Sequence, residues 1–502
     1  MPVPMTRRRG PLAPARLAAG ALLAYPLLAG AGCRSVPDAR AMPAATAPAM
    51  AMAAATTAKT PPAVTAIVNA NVLPMTGETV LRDHTVVVAG GKITSVAPSR
   101  SAAPPADATV IDAAGGWLLP GLADMHVHVG MEVPGVPDAA PLDPAHDMAA
   151  YLAHGITTIR NMRGGPADLE LRERVAVGAV LGPRYVTAGP SLHATGPAEL
   201  GPRVATPEEA EAEARAQATA GYDLIKIHGN LPLETFRRAV EAAAAAGLAA
   251  AGHAQTKLEP AASASLTSLE HAEEIAKLLG PERRLADLPE LRDALLANGT
   301  FVTPTLGAFD MIHRYLDDTE LDALMARPET ALVSTYWLEL TRPGKNYYRQ
   351  AFGPEFAARH DPLEAQSRRL FELTGELHHA GVPLLAGTDA IGLMVPGLGL
   401  HEELAHLVAA GLTPYAALRS ATVVPATLLG VASERGTLEP GRDADLLLLA
   451  ADPLAAIANT RAIRGVMIRG RWLDRAALDA LLAARAAAVA ATRPPDASPP
   501  PG

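Results

Sequence analysis

The chain has 502 residues, of which 49% are hydrophobic and only 4% aromatic, and it carries a formal net charge of −9. This length suggests two structural units plus tails, with a core built mainly from Ala, Leu and Val. The negative charge argues against a nucleic-acid-binding protein, which normally presents a basic face, and no uninterrupted apolar run reaches the ~20 residues of a membrane-spanning helix. Because Cys33 is the single cysteine, an intramolecular disulfide is excluded.

Residues 1–33 have the layout of a bacterial signal peptide. Three arginines at 7–9 precede an apolar stretch at 17–28, and small residues then lead to Cys33. The pattern resembles a lipoprotein signal, in which the cysteine is acylated, and it predicts export to the periplasm with a lipid anchor. Cleavage by an ordinary signal peptidase is the alternative, because the branched residue usual three positions before the cysteine is Gly30 here. A twin-arginine signal is a weaker match.

The segments on either side of the central region differ from it in sequence pattern. Residues 34–62 lack apolar periodicity and predict a disordered tether. Short β patterns separated by Gly and Pro begin at residue 63 and return near the C-terminus. We therefore predict that residues 63–116 and 431–475 pair into one small β-sandwich. Residues 476–502 predict a C-terminal helix followed by a disordered, Pro-rich end.

Strand and helix patterns alternate between residues 117 and 430, which is typical of a parallel sheet with helical crossovers. They predict an α/β fold, a closed (β/α)8 TIM-like barrel. The segment 309–366 is too long for a simple crossover and is rich in aromatic residues, so we expect a lid or a wall of the pocket. The predicted strands are 122–128, 157–161, 185–188, 224–228, 249–253, 268–271, 301–305 and 383–387.

Side chains able to bind a metal recur at the ends of these predicted strands. His126 and His128 share one face of the first strand, because strand side chains repeat every second residue. Active sites of such barrels lie at the carboxyl ends of the strands, and imidazole and carboxylate ligands suit zinc and neighbouring divalent metals. The other members of the set are Lys226 in the fourth strand, His253 and His271 ending the fifth and sixth, and Asp389 after the eighth.

Each of these residues also has an ordinary structural explanation. A lone histidine such as His253 or His271 is commonly a satisfied core or rim residue. Asp389 could cap the next helix or stabilise a turn. Lys226 could form a salt bridge, although an unpaired charged lysine in a buried strand is costly. Their joint occurrence at separate strand ends favours a shared metal site.

With these motifs the chain resembles the amidohydrolase superfamily of metal-dependent hydrolases, in particular the branch of Xaa-Pro dipeptidases and imidazolonepropionase-like proteins. The resemblance extends from about residue 63 to residue 472 and implies a barrel with a flanking β-sandwich. The matching motifs are PGLADMHVH at 120–128, IKI at 225–227, GH at 252–253, EH at 270–271 and GTD at 387–389, with C-terminal motifs at 421–426, 429–430 and 436–446.

Carried over residue by residue, the resemblance implies two divalent metal ions, which we expect to be zinc. The ligands of one would be His126, His128 and Asp389, and those of the other His253 and His271. Lys226, carboxylated by CO2, would bridge the two as a carbamate. A metal-bridging hydroxide would be the nucleophile, with Asp389 as the catalytic proton shuttle to the leaving amine.

The predicted function is hydrolysis of an amide bond in a small molecule such as a dipeptide or an N-acyl amino acid. His228, His193 and Arg163 are candidate substrate-binding residues, because a basic group could bind a substrate carboxylate; each could instead stabilise a loop. A cyclic amide or a lactone is the alternative substrate. We expect no nucleic-acid partner, and association into a homo-oligomer stays open.

Two other functions are weighed against this one. Mononuclear deaminases of the superfamily lack the strand-four lysine and place Glu three residues after the fifth-strand histidine. Here that position is Thr256, although Glu274 stands three residues after His271 and would fit if the strand count slipped by one. A non-catalytic surface binding protein is the other alternative, and the complete ligand set argues against it.

Overall fold

The computed structural model describes residues 64–130, 142–196, 200–280 and 284–493. The predicted signal peptide with Cys33, the predicted tether and the end of the predicted tail lie outside the described residues. Within these ranges, no helix combines the length and the apolar character that crossing a lipid bilayer requires.

The described ranges contain 15 β-strands and 15 α-helices. The strands are β1 (Val64–Val72), β2 (Leu81–Ala89), β3 (Lys92–Pro98), β4 (Thr109–Asp112), β5 (Trp117–Pro120), β6 (Leu122–Val127), β7 (Ile156–Asn161), β8 (Arg184–Thr187), β9 (Leu224–Ile227), β10 (Ala249–Gly252), β11 (Ser268–Glu270), β12 (Phe301–Thr303), β13 (Leu446–Leu449), β14 (Ile463–Ile468) and β15 (Arg471–Asp474). The helices are α1 (Ala145–Ala153), α2 (Pro166–Ala176), α3 (Pro207–Ala220), α4 (Leu233–Ala245), α5 (Ala272–Leu279), α6 (Pro289–Asn298), α7 (Leu306–Arg314), α8 (Asp318–Met325), α9 (Thr335–Thr341), α10 (Tyr347–Phe352), α11 (His360–His379), α12 (Leu398–Ala409), α13 (Pro414–Ser420), α14 (Val423–Leu428) and α15 (Arg475–Ala491).

Strands from both ends of the chain form one mixed, eight-stranded sheet. Its order is β15-β14-β13-β5-β1-β2-β3, with β4 paired to β1. Strand β5 joins the two ends, since it runs parallel to β1 and antiparallel to β13. Apolar side chains of both ends, among them Ile67, Val86, Leu118, Leu446 and Met467, are buried in one core. The first and last strands are therefore held together by burial as well as by backbone hydrogen bonds.

The strands that carry the predicted ligands are all parallel. They form two sheets, of order β6-β7-β8 and β12-β11-β10-β9. The eighth predicted strand, 383–387, forms a single bridge rather than a ladder. Backbone contacts nevertheless connect the two sheets on both sides, so their carboxyl ends face one region. The contacts are a bridge from Ala188 to Leu224, a bridge from Val302 to Leu384, and a 2.9 Å hydrogen bond from Met125 N to Ala386 O.

Helices between the parallel strands begin and end at recognisable caps. The side chain of Thr206 accepts a hydrogen bond from Glu209 N, and the Glu209 carboxylate accepts one from Thr206 N, which forms a capping box before α3. Helix α3 ends at Gly221, whose φ of 93° lies in the left-handed region. A side chain there would be strained, so glycine is the natural helix stop.

The long segment after β12 folds into five helices, α7 to α11, and the C-terminal helix α15 packs against it. Arg485 of α15 is 1% exposed. Its Nε donates to Leu332 O at 2.7 Å, and its guanidinium pairs with Asp147 Oδ1 at 2.6 Å. Thr335 Oγ1 contributes a further hydrogen bond to Val489 O at 3.1 Å. Two of these hydrogen bonds therefore join α15 to the insertion.

Candidate metal centre

The six predicted metal ligands lie together at the carboxyl ends of the parallel strands. A strand presents its last residues to the same edge as its parallel neighbours, so ligands distant in sequence come together there. The ligands are His126 at the end of β6 and His128 just after it, Lys226 in β9, His253 after β10, His271 after β11, and Asp389 after the bridge at Leu384.

Distances among the side chains define a compact cluster. Asp389 Oδ1 lies 3.1 Å from His128 Nε2 and 3.8 Å from His126 Nε2, and Asp389 Oδ2 lies 3.9 Å from His271 Nδ1. The ring centroids of His126 and His271 are 4.7 Å apart, and those of His253 and His271 are 5.1 Å apart. These residues therefore form one site.

Three of the predicted ligands lie close enough together to bind a single cation. One ligand atom from each of His126, His128 and Asp389 lies within 4.8 Å of the other two. Ligand atoms about 2.1 Å from a tetrahedral zinc lie about 3.4 Å from each other. The two distances from Asp389 Oδ1 to the imidazoles, 3.1 and 3.8 Å, bracket this value.

Unpartnered buried atoms support a cation at the same place. His126 Nε2 and Lys226 Nζ are buried and have no hydrogen-bond partner within the described residues. A buried polar atom without a partner costs about 1–3 kcal/mol, so two in one site are expensive. A metal with a carboxylated lysine would use these two atoms, so the residues present fit the group that the sequence predicts.

The protonation states also suit metal binding. Burial, helped by the charge of Lys226, lowers the pKa of His126 to about 4. Burial likewise lowers the pKa values of His253 and His271 well below their ordinary value. Although burial alone would raise the pKa of Asp389, His126 and His128 hold it below its ordinary value. The imidazoles of His126, His253 and His271 are thus neutral and the carboxylate is charged, which are the metal-binding forms.

Lys226 is poised for the chemistry that carbamate formation requires. Its side chain is 2% exposed, and burial lowers its pKa to about 8. About a tenth of such an amine is uncharged at pH 7, and the uncharged amine is the form that adds to CO2. The salt bridge considered from the sequence is not formed within the described part of the chain.

The buried ion pair of Glu270 with Arg160 fixes the orientation of the His126 ring. Glu270 is fully buried; its Oε2 accepts a 2.8 Å hydrogen bond from His126 Nδ1, and its Oε1 accepts bonds from Arg160 at 2.9 Å and Ser268 Oγ at 2.6 Å. Despite burial, Arg160 and His126 hold the pKa of Glu270 well below its ordinary value. With its proton on Nδ1, His126 directs the Nε2 lone pair toward the site.

A second buried carboxylate holds the Asp389 loop. Asp124 Oδ2 accepts from Thr388 Oγ1 at 2.8 Å, and Asp124 Oδ1 accepts from Thr388 N at 3.0 Å. Asp389 N donates to His126 O at 2.7 Å. The sequence alone predicted no role for Asp124, Glu270 or Arg160. A charged side chain in a buried strand is costly, as for Lys226, and this cost is the signal in the sequence that also points to these three residues.

Three of the eight non-glycine residues with positive φ among the described residues belong to the same site. His271, Thr305 and Asp389 have φ values of 70°, 51° and 47°. Non-glycine residues in this region cost about 1–3 kcal/mol each and persist where the surroundings impose the conformation. Here a 2.8 Å hydrogen bond between His271 Nδ1 and Thr305 Oγ1 joins two of the strained residues. The strained backbone therefore occurs where the positions of the predicted ligands are fixed.

The three predicted substrate-binding residues lie in different environments. Both ring nitrogens of His193 are used by its own loop, since Gly196 N donates to Nδ1 at 2.9 Å and Nε2 donates to Gly201 O at 3.0 Å. The ring of His228 lies 4.2 Å from that of His253. Burial, helped by the charge of Lys226, lowers the pKa of His228 to about 3, so it is a neutral ring rather than a cation.

Arg163 is the one candidate of the three that supplies a positive charge. It follows β7, is partly buried, and forms no ion pair within the described ranges. Burial lowers its pKa, while the charges of Asp389 and Tyr336 oppose the shift. Arg163 is therefore close enough to interact electrostatically with both the candidate metal site and helix α9 of the insertion.

The insertion contributes an apolar neighbour to the cluster. Phe309 of α7 has its ring centroid 6.0 Å from that of His271 and is 9% exposed. Helix α7 starts directly after the strained Thr305. The insertion thus forms part of the wall of the site, one of the two roles considered from the sequence.

Comparison with known proteins gives a consistent picture. Residues 117–473 match the model of the Amidohydrolase family. A putative prolidase from Bifidobacterium longum is 26% identical, with a TM-score of 0.63 over 84% of this chain and 99% of that one. A Xaa-Pro dipeptidase with methionine in its active site is 23% identical, with a TM-score of 0.62 over 82% of this chain and 100% of that one, which shows a shared fold.

Several curated relatives match over shorter stretches. An adenine deaminase from Ruegeria pomeroyi is 34% identical over 79 residues, which are 16% of this chain and 12% of the deaminase. The chain therefore spans only about an eighth of the length of that relative.

Proposed function

Because the chain belongs to the amidohydrolase family, whose model matches residues 117–473, we propose that it is a metal-dependent hydrolase that cleaves an amide bond of a small substrate, such as a dipeptide or an N-acyl amino acid. The observation that carries the proposal is the cluster of His126, His128 and Asp389, with ligand atoms within 4.8 Å of one another. The similarity to a putative prolidase at 26% identity supports a peptide-like amide. The site would lie at the mouth of a (β/α)8 barrel completed by residues 383–387.

The proposed centre is binuclear. His126, His128 and Asp389 would hold one divalent cation, and His253 and His271 the other, with zinc favoured by the imidazole and carboxylate donors. Carboxylated Lys226 would lie between them. Support comes from the adjacent rings of His253 and His271, 5.1 Å apart, and from Lys226 Nζ, which has no hydrogen-bond partner in the part of the chain that the structure describes. Carboxylation converts a buried cation into an anion, which two neighbouring dications need.

When bound, the cations would supply an activated water at neutral pH and polarise the scissile carbonyl. Asp389, held deprotonated by the neighbouring imidazoles, would accept a proton at its carboxylate and deliver it to the leaving amine. Glu270 fixes the ring of His126 through its 2.8 Å hydrogen bond. Asp124 fixes the loop that carries Asp389 through Thr388.

Arg163 is the proposed anchor for a substrate carboxylate. Near Asp389 and Tyr336, a guanidinium that forms no ion pair with any described residue can bind a carboxylate through two parallel hydrogen bonds. His228, being neutral, would serve as a hydrogen-bonding or stacking group beside His253. Both ring nitrogens of His193 are already used, so we leave it out of the proposed pocket.

Deamination is the second candidate function, favoured by the partial match to adenine deaminases. Glu274 Oε1 lies 3.7 Å from His253 Nδ1, but it also pairs with Lys277 Nζ at 2.6 Å. His253 follows the fifth parallel strand, so the position three residues on remains Thr256, whose hydroxyl bonds to Asn230. Together with Lys226, this strand order makes amide hydrolysis the stronger proposal.

The proposal includes export to the periplasm, with Cys33 as a lipid-anchored N-terminus. It rests on the basic segment, the apolar stretch and the small residues that precede Cys33. Mass spectrometry of the mature protein should find an acylated Cys33 at the N-terminus. An unmodified N-terminus at another residue would contradict the anchor.

The deciding experiment is a substrate screen of zinc-reconstituted protein, using dipeptides, N-acyl amino acids, lactones and adenine. We expect release of an amine from a dipeptide or an N-acyl amino acid. Lys226→Ala should lose both metal and activity, with partial recovery in short carboxylic acids that replace the bridging carboxylate. Ammonia released from adenine would favour deamination, and fewer than two metals per chain would contradict the binuclear centre.

A further inference from the structure

A second group of potential metal ligands lies outside the centre described above, in the helical insertion. His313 ends the last turn of α7, Glu320 belongs to α8, and His360 is the first residue of α11. One ligand atom from each residue lies within 4.8 Å of the other two. Three helices separated along the chain thus place two imidazoles and a carboxylate at one point.

The most buried member has an unpartnered nitrogen. His313 is 7% exposed, and its Nδ1 is buried without a hydrogen-bond partner among the described residues. Its Nε2 faces Asp310 Oδ1 at 3.5 Å, and Ser367 Oγ donates to the same oxygen at 3.3 Å. A proton on Nε2 leaves a lone pair on Nδ1, which is how a carboxylate prepares a histidine for a metal.

The other two members are arranged in the same way. Asp361 Oδ1 lies 2.8 Å from His360 Nδ1, and Arg314 Nε donates to Glu320 Oε2 at 3.2 Å. Each partner occupies one atom and leaves His360 Nε2 and Glu320 Oε1 facing each other at 3.2 Å. Ligands of a tetrahedral zinc are about 3.4 Å apart, so a small change would admit the ion.

A neighbouring acidic group is a weaker candidate. His360 also lies near Asp361 and Glu364, but the side chains of these two are 93% and 41% exposed. Exposed carboxylates are well solvated and gain little from a cation. The group that includes the buried His313 is therefore preferred.

We propose that His313, Glu320 and His360 bind a divalent cation, with zinc favoured by the two imidazoles and one carboxylate, and that this cation braces α7, α8 and α11. A fourth position would be left to water. Because α7 carries Phe309, whose ring lies 6.0 Å from that of His271, the brace would also stabilise one wall of the metal centre. This proposal stands independently of the substrate proposed above.

Anomalous diffraction from crystals of the zinc-loaded protein tests the site directly. We expect a zinc peak about 2.0–2.2 Å from one atom of each of the three side chains. In solution, Glu320→Gln should weaken zinc binding at this site by at least ~10-fold and lower the Tm measured in zinc.

Glu364→Gln is the matched control, since it removes a carboxylate from α11 near His360. It should retain the zinc peak and the zinc-dependent Tm, and His360→Asn should lose both, which guards against a local effect of the Glu320 change. The proposal is overturned by a wild-type map without the peak. It is equally overturned if Glu320→Gln binds zinc like the wild type, or if Glu364→Gln loses the ion.

Discussion

At the residue scale, the candidate centre depends on buried charges that hold one another. Arg160 and Glu270 are both within 1% of complete burial, and Glu270 divides its two oxygens between Arg160 and His126. Such a pair is costly to desolvate. Its position directly behind a predicted ligand suggests that it is retained for the orientation it gives to His126 rather than for stability.

Glu270→Gln tests this role. The amide cannot neutralise Arg160, so the guanidinium becomes an uncompensated buried charge, and we expect a loss of about 3–5 kcal/mol in the free energy of unfolding. Zinc affinity at the His126 site should fall by ~10–100-fold. Urea unfolding and zinc titration measure the two effects. Glu234→Gln, at a surface pair with Arg237, is the control and should change stability by less than ~0.5 kcal/mol.

Asp389→Asn separates metal binding from proton transfer. The amide keeps one oxygen for a cation but cannot accept and return a proton, so metal content should change less than activity. We expect kcat to fall by ~10²–10⁴-fold, with a small change in KM. Elemental analysis and steady-state kinetics on the same preparation check this. Turnover equal to that of the wild type would contradict the role assigned to Asp389.

The single sequence indicated residue types at strand ends but could not identify their partners. His126, His128 and Asp389 were found because strand alternation and the carboxyl-end rule place them without knowledge of contacts. Asp124 and Glu270 were passed over because their roles depend on Thr388 and Arg160, which are distant in sequence. The sequence also does not show whether the ring nitrogens of a histidine already have hydrogen-bond partners. His193 and Arg163 were therefore equivalent candidates, although only His193 is hydrogen-bonded within its own loop.

At the element scale, the parallel strands were predictable because apolar runs bounded by polar residues or glycine are typical of buried strands. The observed β9 and β10 end one residue before His228 and His253, the ends expected from the sequence. The segment 383–387 differs, since only Leu384 forms a bridge. The insertion showed only its length and its aromatic content in the sequence. Helix α7 of the insertion packs against α11 and α12, and no local sequence pattern reports these contacts.

The junction of α1 and α12 should make stability depend on pH. His401 of α12 is 2% exposed, its Nε2 donates to His154 O at 2.9 Å, and burial next to His154 lowers the pKa of His401 from 6.5 to about 3. Between these values the folded chain binds fewer protons than the unfolded chain. The stability contributed by neutral His401 is thus present above pH 6.5 and lost as the pH falls.

His401→Gln should remove this dependence while keeping a donor for the carbonyl of His154. Each unit of pKa difference is worth about 1.4 kcal/mol, so the wild type should lose about 3 kcal/mol more than the variant between pH 6.5 and 4. Chemical unfolding at a series of pH values gives the slope of the free energy of unfolding against pH for each protein. His84→Gln, in strand β2, is the control. Equal slopes for the wild type and His401→Gln would contradict the prediction.

At the scale of the whole molecule, the candidate metal centre connects parts of the chain that no single element joins. Its predicted ligands come from β6, β9, from the ends of β10 and β11, and from the loop after residue 387. A ligand that binds only the folded chain stabilises it by RT ln(1 + [L]/Kd), about 2.7 kcal/mol at a hundredfold excess over Kd. Zinc at the centre should therefore stabilise the whole parallel sheet.

Metal removal tests this coupling. Dialysis against a chelator should lower the free energy of unfolding by about 3 kcal/mol or more, and zinc should restore it. Measured in Glu320→Gln, which lacks the proposed brace site, the effect reports the main centre alone. His128→Ala should reduce the response to the chelator, because a cation held by fewer ligands dissociates at lower chelator concentration. If the chelator leaves unfolding of both variants and the wild type unchanged, the clustered side chains do not hold a cation that stabilises the fold.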